Sequence, residues 1–445
     1  MNKQMEHKEK ASVLLISIDA LKPEFVFEQD KVGVHLPFLT SQFVDKGCVA
    51  PDGMKSVFPP FTYPCHQSMI TGTNPVTHGI VNNAIFDPMN EHNGAWHWFA
   101  NRKVLTLWEA ARQARYVTAS AAFPTSVGAK GDYIAPEFWW DGSEWDSLFI
   151  DAVSHPQGLV SEMEADIGRY AGGLDLSDAG DVQRYRAADW LLTHKLASAQ
   201  KLASAQKPFF LTAYFASFDE SAHEHGVYSK EAAQSLEKID AMAGKLVATA
   251  EAVSGGNLIV CVVSDHGTLD NTHNICPNVI FHQEGLIQTD DKDAITDWKV
   301  FSQRAGGIAE VRLAVDDDSL RQQVARLLEN LKADPAMGIL DVLTGEQARQ
   351  RGGFPDADFV LISRKGYEIR DDWSGAYLRT TVTQKAQHGY NEEFPEMRAS
   401  FLLAGPGIEK GTVADVHLID VAPTLAALMG FVLPDAEGRD VLAKQ

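Results

Sequence analysis

The chain has 445 residues, of which 45% are hydrophobic and 22% are charged, and its formal net charge is −21. This is the composition of a globular protein, and the negative charge disfavours binding to nucleic acid polymers or anionic membranes. A small phosphorylated substrate remains compatible with it, because metal ions can reverse the field inside a site. The sequence has no apolar run of membrane-spanning length, and residues 1–19 lack the pattern of a signal peptide, so we expect a cytoplasmic protein.

Five apolar runs predict buried strands that alternate with helical patterns. In chain order they are SVLLISID at 12–19, YVTASAAFP at 116–124, PFFLTAYFASFD at 208–219, NLIVCVVSD at 257–265 and RASFLLAG at 398–405. This alternation predicts an α/β fold with a mostly parallel central sheet flanked by helices. Three of the runs end in aspartate, and open α/β sheets build their sites at the carboxyl ends of their strands.

Residues 275–375 show shorter strands and more turns than the rest of the chain. They contain the helical pattern SLRQQVARLLENLK at 319–332 and the turn-rich segment RQRGGFPDAD. We interpret this segment as a smaller α+β cap inserted between two parts of a catalytic core, residues 1–274 and 376–445. A final helix is predicted over DVAPTLAALMG at 420–430.

Side chains suited to metal coordination follow the predicted strands. They are Asp19, Asp219, His223, Asp265, His266 and, further along the chain, His388. Each one alone is compatible with a turn, a helix cap or a structural histidine. Together with a positioned threonine, Thr62, they provide oxygen and nitrogen ligands for two ions. Zinc suits such a mixed set best, and manganese and iron are also compatible with it.

Six motifs carry a resemblance to a known family: ISIDALKP, VFPPFTYPCHQSMITG, NPVTHGIVNN, FDESAHEHG, SDHG and QHGY, in that order. The chain resembles the nucleotide pyrophosphatase/phosphodiesterase branch of the alkaline phosphatase superfamily. The resemblance implies an alkaline-phosphatase-like core with Thr62 as nucleophile. It implies that one ion is held by Asp19, Thr62, Asp265 and His266, and the other by Asp219, His223 and His388. It also implies that Asn83 contacts the phosphate and that Tyr63 stacks on a nucleobase.

The chemistry of Thr62 agrees with this role. A threonine hydroxyl becomes a nucleophile at neutral pH when coordination to a divalent ion lowers its pKa. At a helix N-terminus, backbone N–H groups and the helix dipole favour a phosphoryl group. We therefore expect a metal-dependent phosphodiesterase or nucleotide pyrophosphatase that works by in-line displacement through a phosphothreonine at Thr62.

The substrate class has alternatives. A phosphomonoesterase or a phosphonate hydrolase could use the same pair of ions, and a non-catalytic metal-binding protein is a remote third possibility. A threonine nucleophile without an evident arginine beside it favours diesters. Four tryptophans, Trp96, Trp98, Trp139 and Trp140, either line a pocket or, as is more usual, pack in the core. The oligomeric state is not predicted.

Overall fold

The computed structural model describes residues 10–101, 103–139, 147–170, 175–202 and 207–443. The two largest sheets contain β1 (Ser12–Ile18), β2 (Cys48–Val49), β3 (Val117–Ala121), β4 (Tyr133–Ala135), β5 (Phe209–Phe215), β6 (Leu258–Val263), β7 (Val300–Ala305), β8 (Ile308–Leu313), β9 (Ile339–Thr344), β10 (Phe359–Ser363), β11 (Phe401–Ala404) and β12 (Gly411–Thr412). Shorter strands span Met54–Lys55, Leu269–Asp270, His273–Ile275, Ile287–Thr289, Ile295–Trp298, Tyr367–Ile369, Leu378–Arg379, Ala386–Gln387 and Val416–His417.

The longer helices are α1 (Thr62–Thr71), α2 (Leu107–Gln113), α3 (Ser147–Val153), α4 (Leu159–Ile167), α5 (Asp178–Trp190), α6 (Ser217–His225), α7 (Lys230–Ser254), α8 (Pro277–Gln283), α9 (Asp318–Ala333) and α10 (Val421–Met429). Short helices span Pro23–Phe27, Gln29–Val32, Pro37–Leu39, Pro75–His78, Ala197–Leu202 and Gly345–Gln350. Helix α5 continues as a π-helical segment over Leu191–Leu196. None of the helices in the described part of the chain combines the length and apolarity needed to cross a bilayer.

The central sheet has the strand order β12-β2-β11-β6-β1-β5-β3-β4. Neighbours from β6 to β4 are parallel, whereas β11 is antiparallel to β6. All five predicted strands lie in this sheet, which confirms the mostly parallel α/β core.

Strand β1 lies in the middle of the sheet and is buried on both faces. Leu14 and Ile16 pack into a core cluster with helices α5 and α7. Val13 and Leu15 pack into a second cluster, formed with α1, α2 and α10. Helices therefore cover both faces, which is why the strand is a continuous apolar run rather than an alternating one.

The segment from 275 to 375 contains a second, antiparallel sheet with the order β7-β8-β10-β9. Helix α9 packs its apolar face against this sheet through Val324, Leu328 and Leu331. The helix predicted at 319–332 is thereby confirmed, with one more residue at each end. The division into a core and a cap at 274/275 and 375/376 stays a prediction.

Candidate metal-binding active site

Thr62 is the first residue of helix α1, directly after Phe61 in extended conformation. Its carbonyl accepts a hydrogen bond at 2.8 Å from Nδ1–H of His66, one helical turn later. The other ring nitrogen of His66 then accepts from the Ser17 hydroxyl at 2.9 Å, so β1 fixes the ring. The Thr62 hydroxyl is consequently held at the helix N-terminus, with 9% of the residue exposed.

The six predicted carboxylate and imidazole ligands converge at this hydroxyl. Asp19 follows β1, and Asp265 and His266 follow β6, the neighbouring parallel strand. His266 Nε2 lies 3.4 Å from Thr62 Oγ1, 3.2 Å from a carboxylate oxygen of Asp265 and 3.6 Å from one of Asp19. The carboxyl ends of parallel strands thus bring together residues far apart in sequence.

The remaining ligands complete the cluster from the other side. Asp219 and His223 stand four positions apart on helix α6, and Asp219 Oδ2 lies 2.9 Å from His223 Nε2. His388 Nε2 is 3.7 Å from the same oxygen, and its ring stacks on that of His266 with 3.8 Å between centroids. The sequence-predicted ligands therefore occupy one continuous site.

Backbone carbonyls orient two of the histidines for metal binding. His223 Nδ1–H donates to the Ala386 carbonyl at 2.7 Å, and His266 Nδ1–H donates to the Gly267 carbonyl at 3.1 Å. A carbonyl only accepts, so each Nδ1 carries a proton and Nε2 faces the aspartates, where it can bind a metal ion once it holds no proton of its own. Such outer hydrogen bonds are usual for metal-ligating histidines.

Electrostatics of the cluster favour a bound cation. Burial, and after it the carboxylates of Asp265 and Asp219, raise the pKa of Asp19 well above its usual range. Burial works against a charged His223, but the Asp219 carboxylate raises the pKa of His223 to about 9. Buried carboxylates that repel one another and draw protons onto their neighbours would be stabilised by positive charge.

The donor set forms two groups of side chains, each of which could hold a cation. Ligand atoms of Asp219, His266 and His388 lie within 4.8 Å of one another, as do those of Asp19, Asp265 and His266. In the described residues, one oxygen of each of the three aspartates is buried without a hydrogen-bond partner. A buried carboxylate oxygen without a partner lowers the stability of the folded protein unless a cation binds it. Because His266 belongs to both groups, the division of ligands between the two ions stays a prediction.

Asn83 is bonded to the first turn of helix α1, at the residue after Thr62. Its Oδ1 accepts the backbone N–H of Tyr63 at 2.8 Å, and its own N–H donates to Asn82 Oδ1 at 2.7 Å. Because Oδ1 accepts that bond, the Nδ2 group of Asn83, a residue that lines the adjoining cavity, is available as a donor. Asn83 thus bonds the residue that follows Thr62 and can offer a side-chain donor at the cavity.

A cavity of about 330 Å³ adjoins this site. Its aromatic walls are Phe61, whose ring lies 4.8 Å from the His388 ring, and Trp96. The neighbouring Tyr63 is only 1% exposed and packs beneath Trp96, with 5.4 Å between ring centroids. Tyr63 is not among the residues that line the cavity, so its contact with a nucleobase stays a prediction.

The tryptophans noted in the sequence divide between the cavity and the interior. Trp96 lines the cavity and packs on Trp139, with 4.5 Å between centroids. Trp98 is 7% exposed and packs on Phe138. Trp140 lies outside the described residues.

Arg304 lines the same cavity and was not identified from the sequence. Its Nη1 donates to Glu368 at 3.1 Å, and Arg370 donates to the same buried oxygen at 2.9 Å. The Arg304 Nε lies 3.9 Å from Asp371. Its positive charge is therefore shared between two carboxylates before any substrate binds.

The β7–β8 turn packs directly on the loop that carries His388. Gly307 N–H donates to the His388 carbonyl at 3.1 Å. Gly389 has φ of +70°, and a Cβ there would lie 2.1 Å from the Ala305 carbonyl oxygen. Glycine is required at this position by both backbone conformation and space. The second sheet therefore contacts the metal site through the backbone of a candidate ligand.

Residues 13–391 match the family model described as type I phosphodiesterase / nucleotide pyrophosphatase. The chain belongs to this family. The matched range contains all the candidate site residues, from Asp19 to His388. The family predicted from the ordered motifs is thereby confirmed.

Relatives within the phosphodiesterase family are distant in sequence. Ectonucleotide pyrophosphatase/phosphodiesterase family member 1 of Rattus norvegicus is 27% identical over 266 residues, covering 58% of this chain and 24% of that protein. Venom phosphodiesterase CdcPDE of Crotalus durissus collilineatus is 22% identical over 439 residues, covering 95% of this chain and 44% of that protein. The chain thus spans less than half the length of both relatives.

A solved structure shows the same fold. Murine ectonucleotide pyrophosphatase / phosphodiesterase 5, as an inactive threonine-to-alanine variant in complex with AMP, is 17% identical, with a TM-score of 0.64. The match covers 98% of this chain and 100% of that chain. The predicted alkaline-phosphatase-like architecture is confirmed by this likeness.

Proposed function

We propose that this chain is a metal-dependent hydrolase of small phosphodiesters, nucleotide-type diesters and pyrophosphates among them, that works through a phosphothreonine at Thr62. The convergence of three aspartates and three histidines on a threonine hydroxyl at the start of helix α1 supports this most directly. The relatives' names as phosphodiesterases, and the AMP bound to the structural neighbour, favour a nucleotide-type substrate. We further propose that the chain binds two divalent ions. The mixed carboxylate and imidazole ligands favour zinc.

The proposed reaction has two displacements at phosphorus. Bound ions would lower the pKa of the Thr62 hydroxyl and neutralise charge on the leaving oxygen. Thr62 Oγ1 forms a bond to phosphorus as the bond to the leaving alcohol or nucleotide breaks. Asn83 Nδ2 and the backbone N–H of Thr62 donate to the non-bridging oxygens as their charge grows. Water then attacks phosphorus, and the bond to Thr62 breaks.

The charges of the cavity favour a diester over a monoester. A phosphate monoester carries a second negative charge at neutral pH and needs an additional cationic group. Arg304, the cavity arginine, is already paired with Glu368 and lies near Asp371. A singly charged diester needs no further compensation beyond the two ions.

We also propose that residues 275–375 act as a cap that shapes the leaving-group side of the site. Arg304 extends into the cavity from strand β7 of this segment. The β7–β8 turn contacts the His388 loop, so the cap is tied to the metal site.

The substrate class is tested by comparing bis(4-nitrophenyl) phosphate, 4-nitrophenyl phosphate and a phosphonate monoester, each with added zinc or manganese. We expect the highest kcat/KM for the diester. A higher value for the monoester or the phosphonate would keep the site but contradict the proposed substrate class. Zinc binding without turnover of any of the three would support the non-catalytic alternative.

Replacing Asn83 with alanine should lower kcat by about 10²–10³-fold, the usual effect of removing one donor to a developing oxyanion. KM should change little, because the donor is most effective in the transition state. The matched control is Asn278→Ala, which removes a buried side-chain amide on helix α8 that bonds the backbone of Ser302 in strand β7. An Asn83→Ala enzyme with wild-type kcat would exclude the proposed phosphate contact.

A further inference from the structure

Helix α6, which carries Asp219 and His223, begins without a side-chain cap of its own. Its N-cap residue is Ala216, which has no group to accept the N–H bonds of the first turn. Unsatisfied N–H groups at a buried helix start need an acceptor from elsewhere in the fold.

Asp181 on helix α5 supplies that acceptor. Its two carboxylate oxygens accept the N–H of Ala216 at 3.0 Å and the N–H of Ser217 at 2.9 Å. Asp181 is fully buried, and Arg184 Nη1 donates to it at 3.2 Å, also from a buried position. The start of helix α6, which carries two candidate ligands, is therefore held by the Asp181–Arg184 ion pair on helix α5.

The Asp181–Arg184 ion pair is also linked, through Tyr214, to Asp19, a candidate ligand of the other ion. The Arg184 guanidinium lies over the Tyr214 ring, 5.7 Å from its centroid. Tyr214 is near the end of β5, two residues before Ala216, and its hydroxyl donates to Asp19 Oδ2 at 2.5 Å. The segment that connects β5 to α6 is thus held by contacts at Tyr214, Ala216 and Ser217, close in sequence to Asp219.

We propose that Asp181, held by Arg184, is a positioning residue that sets helix α6 so that Asp219 and His223 can bind a metal ion. The inference rests on the proposed function, because it needs a metal at this site. Asp219 and His223 lie in the first two turns of the helix that begins at Ser217, so a shift of the helix start moves both ligands. Outer-shell groups of this kind typically contribute 10- to 100-fold to metal affinity.

The test measures zinc affinity directly, by competition with a chromophoric chelator after the metal has been removed from the 445-residue chain. Asp181→Asn removes the charge, and Asp181→Asn combined with Arg184→Leu avoids an unpaired buried cation that could prevent folding. We expect both variants to bind one of two zinc ions about 10- to 100-fold more weakly than wild type. The second ion should lose less affinity than the first, and excess zinc should restore part of the turnover.

The matched control is Asp240→Asn. Asp240 is a buried carboxylate on helix α7 that also accepts two backbone N–H groups, those of Phe38 and Leu39 at 3.0 and 2.9 Å. It holds no metal-ligand helix, so its variant should lose thermal stability without losing zinc affinity.

Each outcome decides the proposal. Unchanged affinity for both ions in the folded double variant would overturn the positioning role and leave the proposed function intact. An equal loss of zinc affinity in Asp240→Asn would show that the effect comes from general destabilisation of the fold, and it would overturn the positioning role. A wild-type protein that binds no zinc or manganese would overturn the proposed function, and the positioning role with it.

Discussion

Replacing Thr62 with alanine will lower diester turnover at saturating metal by at least about 10³-fold, because the variant loses the hydroxyl that we propose forms the covalent intermediate. The hydroxyl sits 3.4 Å from His266 Nε2 at the helix N-terminus, within the cluster of ligands. Thr62→Ser keeps a hydroxyl on the same backbone and should retain a measurable part of the activity. The measurement is steady-state hydrolysis of bis(4-nitrophenyl) phosphate.

The control for this experiment is Thr71→Ala on the same helix. The Thr71 hydroxyl donates to the Gln67 carbonyl at 2.7 Å and contacts none of the candidate ligands. Its loss should leave turnover close to wild type. Full activity in Thr62→Ala, or an equal loss in Thr71→Ala, would show that the hydroxyl of Thr62 does not perform the chemistry.

Removing the metal should abolish turnover and also destabilise the folded protein. Thousandfold excess of an ion over its Kd stabilises a protein by about 4 kcal/mol. For two ions and a chain of this length, zinc should raise the melting temperature by on the order of 5–10 °C. The measurement is thermal unfolding of the chelator-treated protein with and without added zinc.

Asp265→Asn should show how much of the stabilisation by zinc comes from neutralising buried negative charge. Asp265 Oδ1 accepts the N–H groups of Ala20 and His266, which an asparagine oxygen would retain. At the other oxygen, 3.2 Å from His266 Nε2, an amide nitrogen would donate to the lone pair and relieve repulsion with Asp19. The metal-free variant should therefore melt above metal-free wild type, yet gain less from zinc.

The comparison variant is again Asp240→Asn, whose carboxylate accepts backbone N–H groups away from the metal site. It should melt below wild type both with and without zinc. If metal-free Asp265→Asn is less stable than metal-free wild type, repulsion between buried carboxylates does not destabilise the metal-free protein, and this account is contradicted.

The parallel core and most candidate ligands were predictable because both depend on where buried strands end. Strands β1, β5 and β6 are covered on both faces, so each is a continuous apolar run that stops where polar residues begin. Asp19 and Asp265 stand at two of these ends, and Asp219 with His223 show the spacing of one helix face. Adjacent parallel strands bring such ends to one edge of the sheet.

Other parts of the site depend on tertiary contacts that no local pattern reveals. Asp181 and Arg184 lie in a polar helix, and their burial becomes evident only when α5 packs against the start of α6. Arg304 reaches the cavity because the β7–β8 hairpin docks on the His388 loop. Tyr63 follows Thr62 in sequence, but one step along a helix turns a side chain by about 100°. Its ring therefore lies in an aromatic cluster instead of in the cavity.

The central claim is a covalent phosphothreonine, and stereochemistry at phosphorus tests it most directly. A phosphorothioate diester of defined configuration would be hydrolysed in isotopically labelled water, and the configuration of the product determined. Each in-line displacement inverts phosphorus, so attack by Thr62 followed by attack of water predicts net retention. Net inversion would mean that water attacks the substrate directly and that Thr62 is not the nucleophile.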